Sequence, residues 1–112
     1  MANLTVTAVP IDGGLADLDA AAVAAASGGD KAPVGPGRCL YLKNGDASTH
    51  TATLASPGTV KGLDVENPAL VVAAGEYGLI PLPSMLAGAD GRAAITYDAV
   101  TSVKVAVLEL GT

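Results

Sequence analysis

Hydrophobic and polar residues alternate along several short stretches of this chain, most clearly close to its C-terminal end. In Val103–Leu110, every second residue from 103 to 107 is valine, and the residues between are lysine and alanine. A period of two built on β-branched residues indicates a strand that lays one face on a core. A similar run over residues 93–97 precedes it, and the short link 98–102 predicts that the two strands form an antiparallel hairpin.

The same alternation, interrupted by glycine and proline, predicts further strands elsewhere in the chain. They cover residues 3–9, 38–43, 50–55, 69–73 and 77–82. Asn44-Gly45 is the strongest turn signal, and 50–55 is interpreted as the strand that returns from this turn. The first of the strands, 3–9, is equally compatible with an arm that pairs with a neighbouring molecule.

Four stretches stand apart from these strands. Residues 28–37 contain two prolines and four glycines, which predicts a loop. Residues 59–67 are mixed and polar and are expected to form a surface loop, whereas residues 84–88 predict a short turn of helix. Residues 15–27 are rich in alanine, which favours a helix stopped by the two glycines that follow, although an alanine-rich strand in a tightly packed sandwich also fits.

The spacing of seven or eight short strands predicts an all-β fold, an antiparallel β-sandwich. With 112 residues, the chain is expected to form one sandwich domain over residues 11–112, preceded by an N-terminal strand or arm, residues 1–10. Aromatic residues make up only 3% of the chain, so alanine, valine, leucine and isoleucine must build the core. Side chains of this size suit two thin layers that pack closely.

The charge pattern argues against nucleic acid as a partner. The formal net charge is −5, the six basic residues are scattered, and the sequence offers no aromatic platform for base stacking. No apolar run approaches the roughly 18 residues that span a bilayer, so a membrane is not expected as a partner. The first residues lack the basic start of a signal peptide, which predicts that the chain stays in the cytoplasm where it is made. The high mean hydropathy predicts that a partner or sister copies cover part of the surface.

No catalytic or metal-binding constellation can be assembled from the sequence, so neither an enzyme nor a bound metal or cofactor is expected. His50 is the only histidine and is expected to face solvent, because no partner for it is evident. Cys39 is the only cysteine and is expected to be a small buried residue, with an interchain disulfide or a reactive thiol as alternatives. Four aspartates could meet around Ca²⁺, but without a calcium-loop motif they are expected to be solvated or to cap turns. They are Asp12, Asp17, Asp19 and Asp30.

Three blocks of sequence resemble a family of small head proteins of tailed phages. They are residues 28–30 with 37–45 (Gly-Gly-Asp and Gly-Arg-Cys-Leu-Tyr-Leu-Lys-Asn-Gly), residues 71–83 and residues 91–107. The family is similar to the capsid decoration, or cement, proteins of double-stranded DNA phages, which clamp an HK97-type shell from outside. The resemblance implies a jelly-roll-like β-sandwich that is commonly arranged as a homotrimer. It also favours a strand for residues 20–26, which we adopt.

The resemblance implies a structural virion protein on the outer capsid surface, made in the host cytoplasm and bound to the major capsid protein and to sister copies. Such a role needs contact area and no reactive groups. A head–tail or tail structural protein of the same virion is one alternative. A free module that binds host-surface sugars is another, which the low aromatic content disfavours.

Two sets of residues are candidates for contact in this role. Leu4, Val6 and Val9 are expected to touch the capsid or a sister copy, because the apolar start of the chain has few internal constraints. The three tyrosines, each isolated within a predicted strand, are expected to pack in the core or in an interface. They are Tyr41, Tyr77 and Tyr97.

Overall fold

The computed structural model of the chain describes residues 2–9, 14, 21–56, 59–60, 63–64, 67–88 and 90–110. Within these residues it contains twelve strands and one 3₁₀ helix, Ser84–Leu86. The strands are β1 (Ala2–Asn3), β2 (Val6–Val9), β3 (Val23–Ala24), β4 (Asp30–Pro33), β5 (Arg38–Asn44), β6 (His50–Leu54), β7 (Thr59–Val60), β8 (Leu63–Asp64), β9 (Ala69–Val72), β10 (Tyr77–Pro81), β11 (Arg92–Tyr97) and β12 (Val103–Leu110). Eight of them are at least four residues long, in agreement with the predicted seven or eight strands.

The longer strands form two sheets that pack face to face as a β-sandwich. Sheet A has the order β1-β4-β11-β6-β9, and sheet B has the order β10-β5-β12-β2, with β3 also paired to β12. From β4 onward the chain passes back and forth between the sheets, except that β6 and β9 are neighbours in sheet A. This back-and-forth path resembles that of a jelly roll, and the predicted all-β sandwich is confirmed. The pairs β1–β4 and β2–β12 are parallel and depart from the antiparallel arrangement of the rest.

The core lies between the sheets and consists of small and branched aliphatic side chains, as the low aromatic content predicts. Sheet A contributes Ala32, Ala52, Leu54, Ala93 and Ile95, and sheet B contributes Leu40, Leu42, Val103, Val105 and Val107, all at most 2% exposed. The alternation in β12 is confirmed on this side, where its valines face sheet A. The opposite side of β12 is covered as well, because Ala106 and Leu108 form a second small cluster with Tyr41.

Two links were predicted to connect strands that pair with each other. Both instead lead from one sheet to the other. β11 and β12 form where expected, but β11 lies in sheet A and β12 in sheet B. In the same way, β5 lies in sheet B and β6 in sheet A. The predicted hairpin around residues 98–102 is therefore wrong, and residues 50–55 do not return beside the strand before them. Alternation shows which face of a strand is buried, but it does not show which sheet the strand joins. The same pattern fits a strand in either sheet of a sandwich, because both sheets bury one face.

The crossing after β5 is held by Asn44 and Gly45. The buried Asn44 side chain donates from Nδ2 to the carbonyl oxygens of Ser48 and Val72, at 2.8 and 2.9 Å. The backbone N–H of Gly45 donates to the carbonyl oxygen of Ser102 at 2.9 Å. A Cβ at position 45 would lie 3.2 Å from that oxygen, so glycine permits this close approach. The Asn-Gly pair thus docks the two crossing links against each other.

Residues 28–37 are not the loop that their glycines and prolines predict. β4 lies in the middle of this stretch and pairs antiparallel with β11 and parallel with β1. Pro33 is the last residue of β4, opposite Arg92, where a missing backbone N–H costs least. Gly29 and Gly35, with φ angles of 94° and 147°, flank the strand. The glycines therefore mark the ends of a strand.

The remaining elements agree with the predictions in part. The strand adopted for residues 20–26 is confirmed at β3, whereas residues 15–20 lie outside the described residues. Within 59–67, β7 and β8 pair with each other, so the predicted loop is wrong at those positions. The turn of helix predicted at 84–88 is confirmed by the 3₁₀ helix Ser84–Leu86.

Candidate interaction surface

An apolar strip runs along β10, the strand at one edge of sheet B. Tyr77 and Leu79 point outward from this strand and are 63% and 58% exposed, and Met85 in the following 3₁₀ helix is 62% exposed. Pro81 and Pro83 are also exposed and lie between them in the sequence. We call these five residues the β10 strip. Single exposed apolar side chains are ordinary on a protein surface, whereas a series of them along one strand makes this edge a candidate contact surface.

Neighbouring residues fix the position of the strip. The ring of Tyr77 lies 6.3 Å from that of Tyr41 at an angle of 54°, and Lys43 Nζ lies 5.7 Å from the centre of the Tyr77 ring. Aromatic pairs and cation–π contacts of this kind hold a ring in one orientation. Gly78 faces inward, and a Cβ there would lie 3.0 Å from the Val72 side chain, so glycine lets β10 lie close to β9. Contacts within the chain itself therefore hold Tyr77 and β10 in place.

The apolar surface extends from the strip toward the end of β12. An open depression of about 450 Å³ is lined by Cys39, Leu79, Pro81 and Leu110 among others, and Leu110 is 53% exposed. Cys39 is half-buried here, so the expectation of a small buried residue is met only in part. Its Sγ lies 3.7 Å from the carbonyl oxygen of Leu108, and burial raises the pKa of the thiol, which keeps it protonated.

The outer face of sheet A has a different chemistry. Thr51, Thr53 and Thr96 point outward on β6 and β11, and Thr53 stands directly opposite Thr96. Val71 is 64% exposed on the neighbouring strand, opposite Thr51, as a single large apolar side chain on this face. Threonine hydroxyls can hydrogen-bond to water, whereas Tyr77 is the one member of the β10 strip whose side chain can do so. The two sides of the sandwich are therefore unequal, with more exposed apolar surface on the side that carries the β10 strip.

The structure separates the three N-terminal contact candidates. Leu4 is 6% exposed and packs in the core of its own chain, between β1 in sheet A and β2 in sheet B. Val6 and Val9 are half-buried on β2, at the edge of sheet B opposite to β10. Of the three candidates, Val6 and Val9 are therefore the two with surface left for a contact, and the contact itself stays a prediction.

His50 is buried in a cluster with two partly exposed aspartates, so the expectation that it faces solvent is wrong. Its side chain is 7% exposed at the start of β6. Nε2 lies 2.8 Å from Oδ2 of Asp46, in the link before β6, and Nδ1 lies 3.2 Å from Oδ1 of Asp98, in the link after β11. Asp98 Oδ1 also accepts the backbone N–H groups of Thr51 and Ala99, at 3.0 and 2.7 Å. The cluster thus joins both crossing links.

The electrostatics of this cluster favour a protonated histidine between two carboxylates. The hydrogen bond to Asp46 raises the pKa of His50, and the contact with Asp98 acts in the same direction. The hydrogen bond to His50 lowers the pKa of Asp46, and the hydrogen bond from the backbone of Thr51 lowers that of Asp98. Both ring nitrogens face a carboxylate, so His50 presents no free nitrogen to a substrate or a metal ion.

Asp30 and Tyr97 form another polar contact, inside the sandwich. Asp30 has no exposed surface, and its Oδ2 accepts hydrogen bonds from the Tyr97 hydroxyl at 2.7 Å and from the Ala26 backbone at 3.2 Å. The expectation of a solvated aspartate is therefore wrong for Asp30, while Asp12, Asp17 and Asp19 lie outside the described residues. Burial, followed by the bond to Asp30, raises the pKa of Tyr97, so its hydroxyl remains a donor. Tyr41 is buried and Tyr97 half-buried as predicted, whereas Tyr77 is exposed on the β10 strip.

In the described part of the chain, no group of three or more histidine, cysteine or acidic side chains is arranged to hold a metal ion. None of the helical segments described is long and apolar enough to cross a bilayer. Neither a scan against protein-family models nor searches of the curated proteins and of the solved structures found a match to this chain.

Sequence reasoning missed the β10 strip and the His50 cluster for different reasons. The strip was predicted as a strand, but its exposure follows from its place at the edge of sheet B, which the sequence does not state. Asp46 stands four residues before His50, across the predicted turn, and this spacing could have suggested the pair. Asp98 is 48 positions away from His50 and carries no local signal.

Proposed function

We propose that this protein is a structural virion protein that decorates the outside of a tailed-phage capsid by binding the major capsid protein through the β10 strip. The observation that carries the proposal is the inequality of the two sides of the sandwich: an apolar strip on one, a threonine-bearing face on the other. A protein held on a shell needs one side that gains from burial and one that remains hydrated. The sequence resemblance supplies the class of partner.

The energetics of the strip suit this role. Full burial of a leucine or methionine side chain contributes about 1.5–3 kcal/mol, and Leu79 and Met85 both start more than half exposed. Each contact is modest, and the symmetry of a capsid repeats it over many copies. The opposite edge of sheet B, where Val6 and Val9 lie, remains available for sister copies in a homotrimer.

A charge placed on the strip tests the capsid contact. We expect Leu79→Asp to weaken binding to purified capsid shells by about 10- to 100-fold, because the exchange removes an apolar contact and would bury a carboxylate. The measurement is the number of copies retained per shell after sedimentation over a range of protein concentrations. Val71→Asp is the matched control, since Val71 is similarly exposed on sheet A, and this variant should bind within about twofold of the parent chain.

Two results would speak against the proposal. Failure of the unaltered chain to sediment with shells would remove the capsid as its partner. Equal binding by the two aspartate variants, with both retaining the β-sheet circular dichroism of the parent, would show that the strip is not the contact surface. Imaging that places the chain only at a vertex or along the tail would favour a head–tail or tail protein.

A further inference from the structure

The His50 cluster stands at the end of the sandwich where the chain changes sheets twice. The link 45–49 leads from β5 in sheet B to β6 in sheet A, and the link 98–102 leads from β11 in sheet A to β12 in sheet B. His50 touches an aspartate from each link, Asp46 and Asp98. Among the described residues these are the charged groups that face the imidazole. The opposing strand β9 places the apolar Val72 across from His50.

The protonation state of His50 decides whether its contacts with Asp46 and Asp98 can both persist. A protonated imidazole has two N–H donors and can serve both carboxylates, whereas a neutral imidazole has one N–H and one lone pair. When His50 releases its proton to water, the lone pair of one ring nitrogen faces a carboxylate oxygen. One of the two contacts must then open, because lone pair and carboxylate repel each other.

The surroundings of the two aspartates determine which contact opens. Asp98 Oδ1 is fixed by two backbone donors, from Thr51 and Ala99, that do not depend on pH. Asp46 Oδ2 has His50 as its partner among the described groups, and its other oxygen accepts the N–H of the adjacent Ala47. Asp46 can therefore turn toward water with little loss, while Asp98 cannot.

We propose that His50 is a proton-dependent latch that ties the 45–49 link to the 98–102 link when protonated and releases Asp46 when neutral. The opening is local, because the Asn44 side chain still holds Ser48 and the Gly45 N–H still holds Ser102. The Asp46 backbone N–H also donates to Asn44 Oδ1 at 3.0 Å, so the moving group is the Asp46 side chain, whose other oxygen accepts the Ala47 N–H. The contacts with both aspartates place the transition above the ordinary histidine pKa of about 6.5. This latch does not depend on the proposed capsid function.

NMR titration of the isotope-labelled full chain between pH 5 and 9 tests the latch. We expect the Asp46 carboxyl carbon and the Ala47 amide to shift with the same midpoint as the His50 ring, while the Thr51 and Ala99 amides keep their positions. Asp46→Asn should lower the His50 midpoint and abolish the coupled shift at Ala47. Glu76→Gln is the matched control, because Glu76 is exposed and makes no contact with His50, and it should leave the midpoint in place.

Two outcomes would overturn the latch. One is a His50 titration that leaves Asp46 and Ala47 unchanged. The other is movement of Thr51 and Ala99 with the His50 midpoint, which would show that Asp98 is the group released. His50→Gln, which does not titrate, provides a second measurement: its Asp46 and Ala47 signals should be independent of pH over this range, whichever position they take.

Discussion

At the residue scale, substitutions of the polar side chains inside the sandwich are expected to reduce stability. Asp30 is fully buried, and its Oδ1 has no hydrogen-bond partner among the described groups, so Oδ2 carries the polar contacts of this carboxyl group. A buried acceptor that loses its donor retains the full cost of having left water. The Tyr97 hydroxyl is therefore more important to stability than its half-buried ring suggests.

Removal of that hydroxyl should destabilise the fold. We expect Tyr97→Phe to lower the free energy of unfolding by about 1–3 kcal/mol, because it leaves the Asp30 carboxyl group with the Ala26 N–H alone. Urea denaturation followed by circular dichroism measures the change. Tyr77→Phe is the control, since Tyr77 is exposed, and should stay within about 0.5 kcal/mol. Equal stability of the two variants would contradict a stabilising Asp30–Tyr97 contact.

The burial of single polar residues whose partners are distant in the sequence could not be predicted from the sequence. Nothing near Asp30 in the sequence points to Tyr97, which is 67 positions away. An isolated aspartate or histidine reads as solvated because charged groups are costly to bury without partners. The prediction fails where the fold brings such partners from elsewhere in the chain.

At the element scale, alternation located the strands but not their neighbours. Each long strand was anticipated within a residue or two except β2 and β4. The predicted strand 3–9 is divided into β1 and β2, and the flanking glycines and terminal proline of β4 resemble a loop. Which sheet a strand joins depends on how the links cross the sandwich, and this was missed at both 45–49 and 98–102. Those crossings rest on Asn44, Gly45 and His50, through contacts that a hydrophobic pattern does not encode.

The N-terminal segment contributes to stability through its packing between the two sheets. β1 joins sheet A and β2 joins sheet B, and Leu4 enters the core where the segment changes sheets. We expect Leu4→Ala to lower the free energy of unfolding by about 2–4 kcal/mol, because it leaves a cavity between the sheets. Thr5→Ala, at the exposed neighbouring position, should change it by no more than about 0.5 kcal/mol. Denaturant titration of both variants decides the matter, and a neutral Leu4→Ala would mean that the segment is a loosely attached arm.

At the scale of the whole molecule, the sequence predicted the fold class because composition and strand spacing are global properties. The site was less accessible, because the β10 strip depends on which strand ends up at a sheet edge. Part of the strip lies in residues 71–83, which stood out in the sequence because they resemble a phage protein family. Their exposure became visible only once the neighbours of β10 were known.

Stability of the whole molecule should depend on pH through the His50 cluster. The pKa of His50 is raised, so its contribution is complete below about 6.5 and is lost as the pH rises through the folded-state pKa. The pKa values of Asp46 and Asp98 are lowered, so their contributions are complete above about 3.9 and are lost as the pH falls through their folded-state values. The cluster therefore stabilises the fold most between about pH 4 and 6.5.

Denaturant titrations from pH 3 to 9 measure this dependence. We expect the free energy of unfolding to fall on the alkaline side of the window in the parent chain and to fall less in Asp46→Asn. The Glu76→Gln variant should follow the parent, because that carboxylate is exposed and lies outside the cluster. A parent chain whose stability is flat from pH 5 to 9 would show that the cluster adds nothing to the fold.

The parallel pairing of β2 with β12 has a consequence for biosynthesis. Among the described strands β2 pairs within sheet B with β12 alone, and β12 is the last of them to be made. While the ribosome is still translating, the valines of β2 and the centre of sheet B wait without their hydrogen-bonding partner. Pairing between such distant segments is slow and leaves apolar strands open to misassociation. We therefore expect the growing chain to be most prone to misassociation until Val103–Leu110 is available to pair.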